Sequence, residues 1–411
     1  IQEYLKTYSY ANATWDDLIR ILDGKASEDL ATFSDVWVNR KGMPTLNFRI
    51  DGQELEVRQS DPYNRGLLWP QRFAVTLCGE RDSVLRVNMT DTLVRIQLPF
   101  VPSLVLPNTD GRGYGLFVPD ESALKWLLAH WWEVKDDTAR QSLLMTLYEN
   151  YLAKHISADD WTNSLLAGLP AEKNALVAST VSGYLAGAMR RVAPAQIAEV
   201  EARVYAISRN HLLPSCRVQL LRYFMQNATS QPMVKELYAL WQEQSDKRLN
   251  QQDYTTLAYE LAIRLPAESE QILRTQRARI DDPDRLRQFD FISRAVVSDT
   301  ARLDTLFNSL LVAENRRIEP WTAAVIRYLN HPLREEQSVK YIRPGLEVLE
   351  EVQRTGDIFF PKNWASALLG NHLSRPAYEE VVRFLDAHPD YSPLLKNKIL
   401  QAAYSLYREN D

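Results

Sequence analysis

A chain of 411 residues with 45% hydrophobic and 25% charged positions has the composition of an ordinary globular protein and is long enough for two or three domains. Its net charge of −5, from 48 basic and 53 acidic residues, offers no general surface to a polyanion, so nucleic acid is not an expected partner. No run of about 18 apolar residues occurs, so no membrane span is expected. The two cysteines, Cys78 and Cys216, fall in different predicted domains and cannot form a disulfide framework.

Residues 1 to about 43 read as a short helical tail. Tyr4, Leu5 and Tyr8 share one side of a first helix. Thr14 is placed to cap a second, whose Trp15, Leu18, Ile19 and Leu22 face one way. Gly24 ends it, and Ser27 is placed to cap a third helix carrying Phe33, Val36 and Trp37 at spacings of three and four. Gly42 reads as the C′ residue and Pro44 as the stop. Three short helices cannot bury enough area to stand alone, so the tail is expected to pack on a neighbour. It begins inside a helical pattern, and the expectation is that it closes a domain whose body lies upstream. An exposed apolar patch on it would be that body's footprint.

After Pro44 the hydrophobic period changes from helical to two. Leu46, Phe48 and Ile50 alternate with Asn47 and Arg49, and similar runs follow around Val57, Val75, Val87 and Ile96. Turn signals such as Asp51-Gly52 and Asp61-Pro62 separate them. The glycine-rich stretch from Asn108 to Phe117 lacks the lysine of a phosphate-binding loop and reads as a turn leading into the last strand. Residues 44–119 are therefore expected to form an antiparallel β-sandwich.

From residue 120 to 411 the apolar spacing is three and four throughout, as in Leu124, Leu127, Leu128 and Trp131. Helices of roughly 12–18 residues joined by short loops alternate in direction, and about sixteen of them give stacked antiparallel pairs. The expected fold is mostly α with a small all-β domain: a β-sandwich followed by an α-solenoid of the ARM/HEAT-like kind, a superhelix of helix pairs.

No catalytic or metal-binding constellation is expected in this chain. His130 and Glu133 do not make an HExxH pair, and none of the six histidines has a second ligand at helical spacing. No GxSxG element occurs. Adjacent carboxylates such as Asp281 and Asp282 read as helix-start complements. The aromatics, including ten tryptophans, read first as core.

Several junctions together resemble the C-terminal half of zinc aminopeptidases of the aminopeptidase N family, the gluzincins. The end of the family's thermolysin-like domain is similar to Tyr4-Leu5, Asn12-Ala13-Thr14 and Asp17-Leu18. A W-x₄-G-x-P passage into the sandwich is matched by Trp37, Gly42 and Pro44. An N-x₄-G-Y turn near the sandwich's end is matched by Asn108, Gly113 and Tyr114, although Gly115-Leu116-Phe117 departs from the aromatic and arginine common there. The opening of the helical domain resembles Asp137, Arg140 and Leu143, and Val352 to Pro361 also looks like bacterial members.

The resemblance implies a whole enzyme that removes N-terminal residues from peptides, with zinc held by an HExxH-x₁₈-E site upstream of Ile1. The cofactor of this portion would be none, its partners the upstream catalytic domain and peptide substrates, and its substrate-contacting residues are not assigned. The helical domain would cover the active-site opening and limit access. The alternative is a free-standing α-solenoid scaffold for a protein partner, which needs polar caps at both ends. The expected setting is a soluble one, cytoplasmic or periplasmic.

Overall fold

The computed structural model describes residues 1–410. The chain is mostly helical, with a small β region of two sheets ahead of a solenoid-like run of helices. It divides into two compact units, Ile1–Val192 with Asn210–Arg217, and Ala193–Arg209 with Val218–Asp411.

The first unit opens with helices α1 (Gln2–Thr7), α2 (Trp15–Asp23) and α3 (Leu30–Ser34), followed by a π-helical turn, Asp35–Asn39. Thr14 caps α2 in a capping box with Asp17, as its position predicts. Asp29, not Ser27, caps α3: its carboxylate accepts from the Thr32 backbone N–H at 2.8 Å, while Ser27 lies too far ahead of the first turn. Arg40 ends the π turn in an extended conformation, so Gly42 is not the C′ residue. It has φ +112°, and a Cβ there would sit 2.9 Å from an Arg65 nitrogen and 3.1 Å from the Tyr63 ring. Glycine is required because the chain turns tightly against the 61–65 loop, where Arg65 donates to the Lys41 carbonyl at 2.6 Å.

Seven strands follow: β1 (Thr45–Asp51), β2 (Glu54–Ser60), β3 (Gln71–Cys78), β4 (Ser83–Met89), β5 (Leu93–Gln97), β6 (Leu104–Leu106) and β7 (Leu116–Val118). One sheet runs β5-β2-β1-β7 and the other β4-β3-β6. Leu46, Phe48 and Val57 of the first meet Phe73, Val75 and Val87 of the second in a single apolar layer. Pairing is antiparallel except at β7, which lies parallel to β1 with Phe117 opposite Leu46. The sandwich is thus mixed rather than wholly antiparallel. The loop after β6 returns the chain to the start of β1, where the Leu116 N–H donates to the Pro44 carbonyl at 2.9 Å.

Helices α4 (Glu121–His130), α5 (Asp137–Leu152), α6 (Ala158–Gly168) and α7 (Ala175–Met189) complete most of this unit. Asp120, Asp136, Ser157 and Asn174 cap them, each accepting from first-turn backbone N–H groups. Trp131, Leu144 and Trp161 are fully buried among them.

In the second unit helices pack mainly on near neighbours in sequence. A continuous core runs from Tyr259 through Phe307, Ile326 and Trp364 to Leu406. The stretch from Pro332 to Thr355 is broken into short helical pieces instead of one long helix. Pro332 and Pro344 remove backbone donors there, and Gly345 lets the Leu368 side chain approach.

Candidate functional site

Two features of the first unit stand apart from ordinary packing. The first is the face of the helical tail. Neither α1 nor α2 has a fully buried residue, although α2 is strongly amphipathic. Leu5, Tyr10, Trp15, Leu22 and Phe33 are all exposed. Polar contacts hold the tail in shape instead. The Asp17 carboxylate accepts from the Thr14 backbone N–H at 2.9 Å, the Thr14 hydroxyl at 2.9 Å, the Tyr8 hydroxyl at 3.0 Å and Arg20 at 3.0 Å. These bonds, the Thr14 backbone N–H foremost, bring its pKa down to about 2. The Trp15 indole donates to Ser34 at 2.7 Å, and Asp23 accepts from the Leu30 N–H at 2.8 Å.

The second feature is a cleft of about 500 Å³ where the glycine-rich loop of the sandwich meets α5 and the start of α7. Asn108 shapes the loop. Its side chain accepts from the Gly113 N–H at 2.7 Å and donates to the Gly113 carbonyl at 3.1 Å, closing the turn on itself. Gly113 has no alternative, since a Cβ would lie 2.5 Å from the Phe117 ring. Helix α5 is bolted to this loop by Ser142, which donates to the Asn108 carbonyl at 2.6 Å, and by Asn150, which donates to the Phe117 carbonyl at 2.7 Å.

The far wall is set by a buried ion pair. Arg140 reaches Glu172 through two nitrogens, at 2.6 and 2.9 Å, and donates to the Val134 carbonyl at 2.6 Å. Glu172 also accepts from the N–H groups of Lys173 and Asn174. Asp137 bonds both Arg140 and the Asn174 amide, the latter at 2.6 Å, and those two partners hold its carboxyl below the usual range.

Asn108, Gly113, Tyr114 and Asp137, singled out by sequence as junctions, all line this cleft, and Arg140 braces its wall. Trp37 stands beside Tyr114 with ring centroids 5.8 Å apart, and its buried indole N–H has no hydrogen-bond partner. Gly42 and Pro44 lie apart from the cleft's chemistry, at the approach to β1. Sequence reading missed the α5 face made by Gln141, Met145 and Glu149, together with Asn174 and Leu176. The signal was available: Asp137, Gln141, Met145 and Glu149 recur at every fourth position beside the buried Leu143, Leu144 and Leu147.

Among the described residues no three His, Cys, Asp or Glu side chains are placed to hold a metal ion, so this part of the chain does not fit a zinc site. The histidines are occupied locally. His130 meets Glu133, His155 meets Asn150, and His331 meets Glu260, while His372 meets Asn330. His211 and His388 bond main-chain carbonyls. Both cysteines are free; Cys78 is only half-buried, and burial with nearby Asp82 pushes its thiol up to about 11. No described helix is long and apolar enough to cross a membrane.

Comparison with known proteins adds a partial likeness. No family model matches the chain. Aminopeptidase M1-B of rice (Oryza sativa subsp. japonica) is 27% identical over 86 residues, 20% of this chain and 10% of that protein. Part of this chain is similar to plant M1 aminopeptidases. Aminopeptidases M1-C and M1-D of the same plant are 29% and 27% identical over 59 residues, 14% of this chain and 7% of each relative. The matched stretches thus span a tenth or less of the relatives' length.

Proposed function

We propose that this chain is the non-catalytic C-terminal portion of a zinc-dependent aminopeptidase, and that its helical tail seats against an upstream catalytic body. The observation that carries this reading is the tail's uncovered apolar side chains: Leu5, Trp15, Leu22 and Phe33 are exposed on elements ordered largely by hydrogen bonds rather than by burial. Burying a large apolar side chain is worth about 1.5–3 kcal/mol, so a partner covering these four gains a strong contact. The partial similarity to M1 aminopeptidases supports reading that partner as an aminopeptidase's catalytic body. The junction motifs around Trp37, Asn108 and Asp137 support the same assignment. The zinc then belongs to the upstream body, where it would polarise the peptide carbonyl and activate water. The helical part would restrict access to that centre.

The test is hydrolysis of aminoacyl amides, with zinc added, by the 411-residue chain and by a chain extended upstream by about two domains. Turnover by the longer chain alone, with hydrogen-exchange protection appearing over residues 1–39, is the expected result. Zinc-dependent turnover by the shorter chain would sink the proposal, as would a tail that exchanges equally in both.

A further inference from the structure

The two sheets of the sandwich end in four edge strands, and three of these are short. Strands β6 and β7 have three residues each and pack against α4 and α5. Strand β5 has five, and its Arg95 is held by Glu54 and Glu56 of β2. Strand β4 has seven and, among the described residues, pairs with β3 alone. Its sequence, Ser83 to Met89, contains no proline or lysine, and its ladder with β3 runs without a bulge. Those are the usual devices that keep an edge from pairing further.

The hydrogen bonds of β3 show which groups of β4 are open. Ala74 donates its N–H to the Asp110 carboxylate at 3.0 Å and accepts from the Thr109 N–H at 2.9 Å, while the Cys78 carbonyl accepts from Ser103 at 2.8 Å. These residues turn their backbone toward β6, so Phe73, Val75 and Leu77 turn theirs toward Val87, Leu85 and Ser83 of β4. By the same alternation the N–H and C=O groups of Val84, Arg86 and Asn88 point away from β3. Val84 is 68% exposed, and Arg86 and Asn88 are exposed beside it on the outer face.

We propose that β4 pairs antiparallel with β4 of a second copy of this chain about a two-fold axis at Val84, joining the two β4-β3-β6 sheets into one. Side-chain charge selects this partner and register. Pairing centred on Val84 sets Val84 against Val84 and Arg86 against Asp82 of the second copy, once on each side of the axis. Both are exposed charges without an ion pair of their own; Asp82 stands near the Cys78 thiol, which is neutral and does not cancel it. Pairing centred on Arg86 would oppose two guanidinium groups, and pairing centred on Leu85 would set Arg86 against Val84. Only the first register satisfies the charges, and each outward-facing pair in it exchanges backbone hydrogen bonds that the isolated edge makes with water. The inference does not rest on the aminopeptidase assignment, because it concerns the chain as it stands.

The test is sedimentation velocity with light scattering on the 411-residue chain in a dilution series across the micromolar range. A concentration-dependent monomer–dimer equilibrium is expected. Val84→Pro deletes an outward N–H while leaving the bonds to β3, and it abolishes the dimer. Arg86→Asp and Asp82→Arg each set like charges opposite one another on both sides of the axis and weaken the dimer about tenfold. Mixed in equal amounts, these two variants recover a dimer, because one then carries both cations and the other both anions.

Thermal melts check folding; the two charge variants change exposed side chains and keep the test decisive if Val84→Pro is unstable. A monomer throughout the series overturns the proposal, as does a dimer that survives Val84→Pro. Failure of the two charge variants to recover on mixing overturns it too. A dimer lost in Phe33→Ser and kept in Val84→Pro overturns it in favour of association through the helical tail.

Discussion

The helical tail and the β-sandwich behind it carry similar aromatic and aliphatic side chains and use them in opposite ways. In the sandwich, Phe73 meets Phe117 edge-on at 5.1 Å and Phe48 at 6.2 Å, and Phe73, Val75 and Leu77 of β3 are all buried. In residues 1–39 the only fully buried side chain is Ser34, while Phe33 stacks on Trp37 with its outer face in solvent. An amphipathic pattern therefore identifies a helix in both settings but says nothing about whether its partner is at hand. The tail is held mainly by hydrogen bonds, the Trp37 indole N–H apart, and leaves most of its large apolar side chains uncovered.

Four measurements would break or sharpen that contrast. Phe73→Ala in the sandwich is expected to cost about 3–5 kcal/mol in urea unfolding of the first unit, because it opens a cavity between two rigid sheets. A loss under 1 kcal/mol would mean that the two sheets do not share a core. Next comes Arg140→Ala, which strands Glu172 (1% exposed side chain) as a buried charge and should cost about 3 kcal/mol. The same variant should widen the cleft, read as faster amide exchange at Lys173 and Asn174, whose N–H groups Glu172 holds.

The tail should respond to acid and to its cap more than to loss of apolar bulk. Asp17 has its pKa lowered from an ordinary 3.8 to about 2, so its stabilising contribution is complete above about pH 4 and disappears as pH falls through 2. Thr14→Ala should move the Asp17 midpoint upward, toward 3.8, in a carboxyl-carbon NMR titration and fray α2 at neutral pH. An unmoved midpoint would show that the backbone N–H of residue 14, with Tyr8 and Arg20, suffices. Smallest of all, Phe33→Ala should change the stability of this chain by no more than about 0.5 kcal/mol, in contrast to Phe73→Ala. A larger loss would mean that the tail already has its partner.

The elements themselves were legible in the sequence. Alternation in Leu46, Phe48 and Ile50 and the cap at Thr14 read directly, because period and capping are local. The parallel placement of β7 was not legible, since a three-residue strand carries no direction in its pattern. Gly42 was recognised as special for the wrong reason: it answers to Tyr63 and Arg65, which approach from a loop about twenty residues away. Half of the cleft was in view. Asn108, Gly113, Tyr114 and Asp137 drew notice as junction residues, whereas Met145, Glu149 and Leu176 looked like ordinary helix surface. Their convergence depends on Ser142 and Asn150 fixing α5 to the loop, a contact no spacing rule foretells.

The π-helical turn at Asp35–Asn39 has a consequence for how this junction tolerates change in chain length. Such a turn holds one residue more than an α-helical register would, so it acts as an insertion stored within a helix. Removing Val36 or Val38 would let the segment relax into α-helical phase and swing the downstream chain by about 100° around the axis. Trp37 would then leave the Tyr114 ring it now meets. The linkage between tail and sandwich is thus tuned by a count of residues, and a deletion here acts as a rotation before it acts as a loss of contacts.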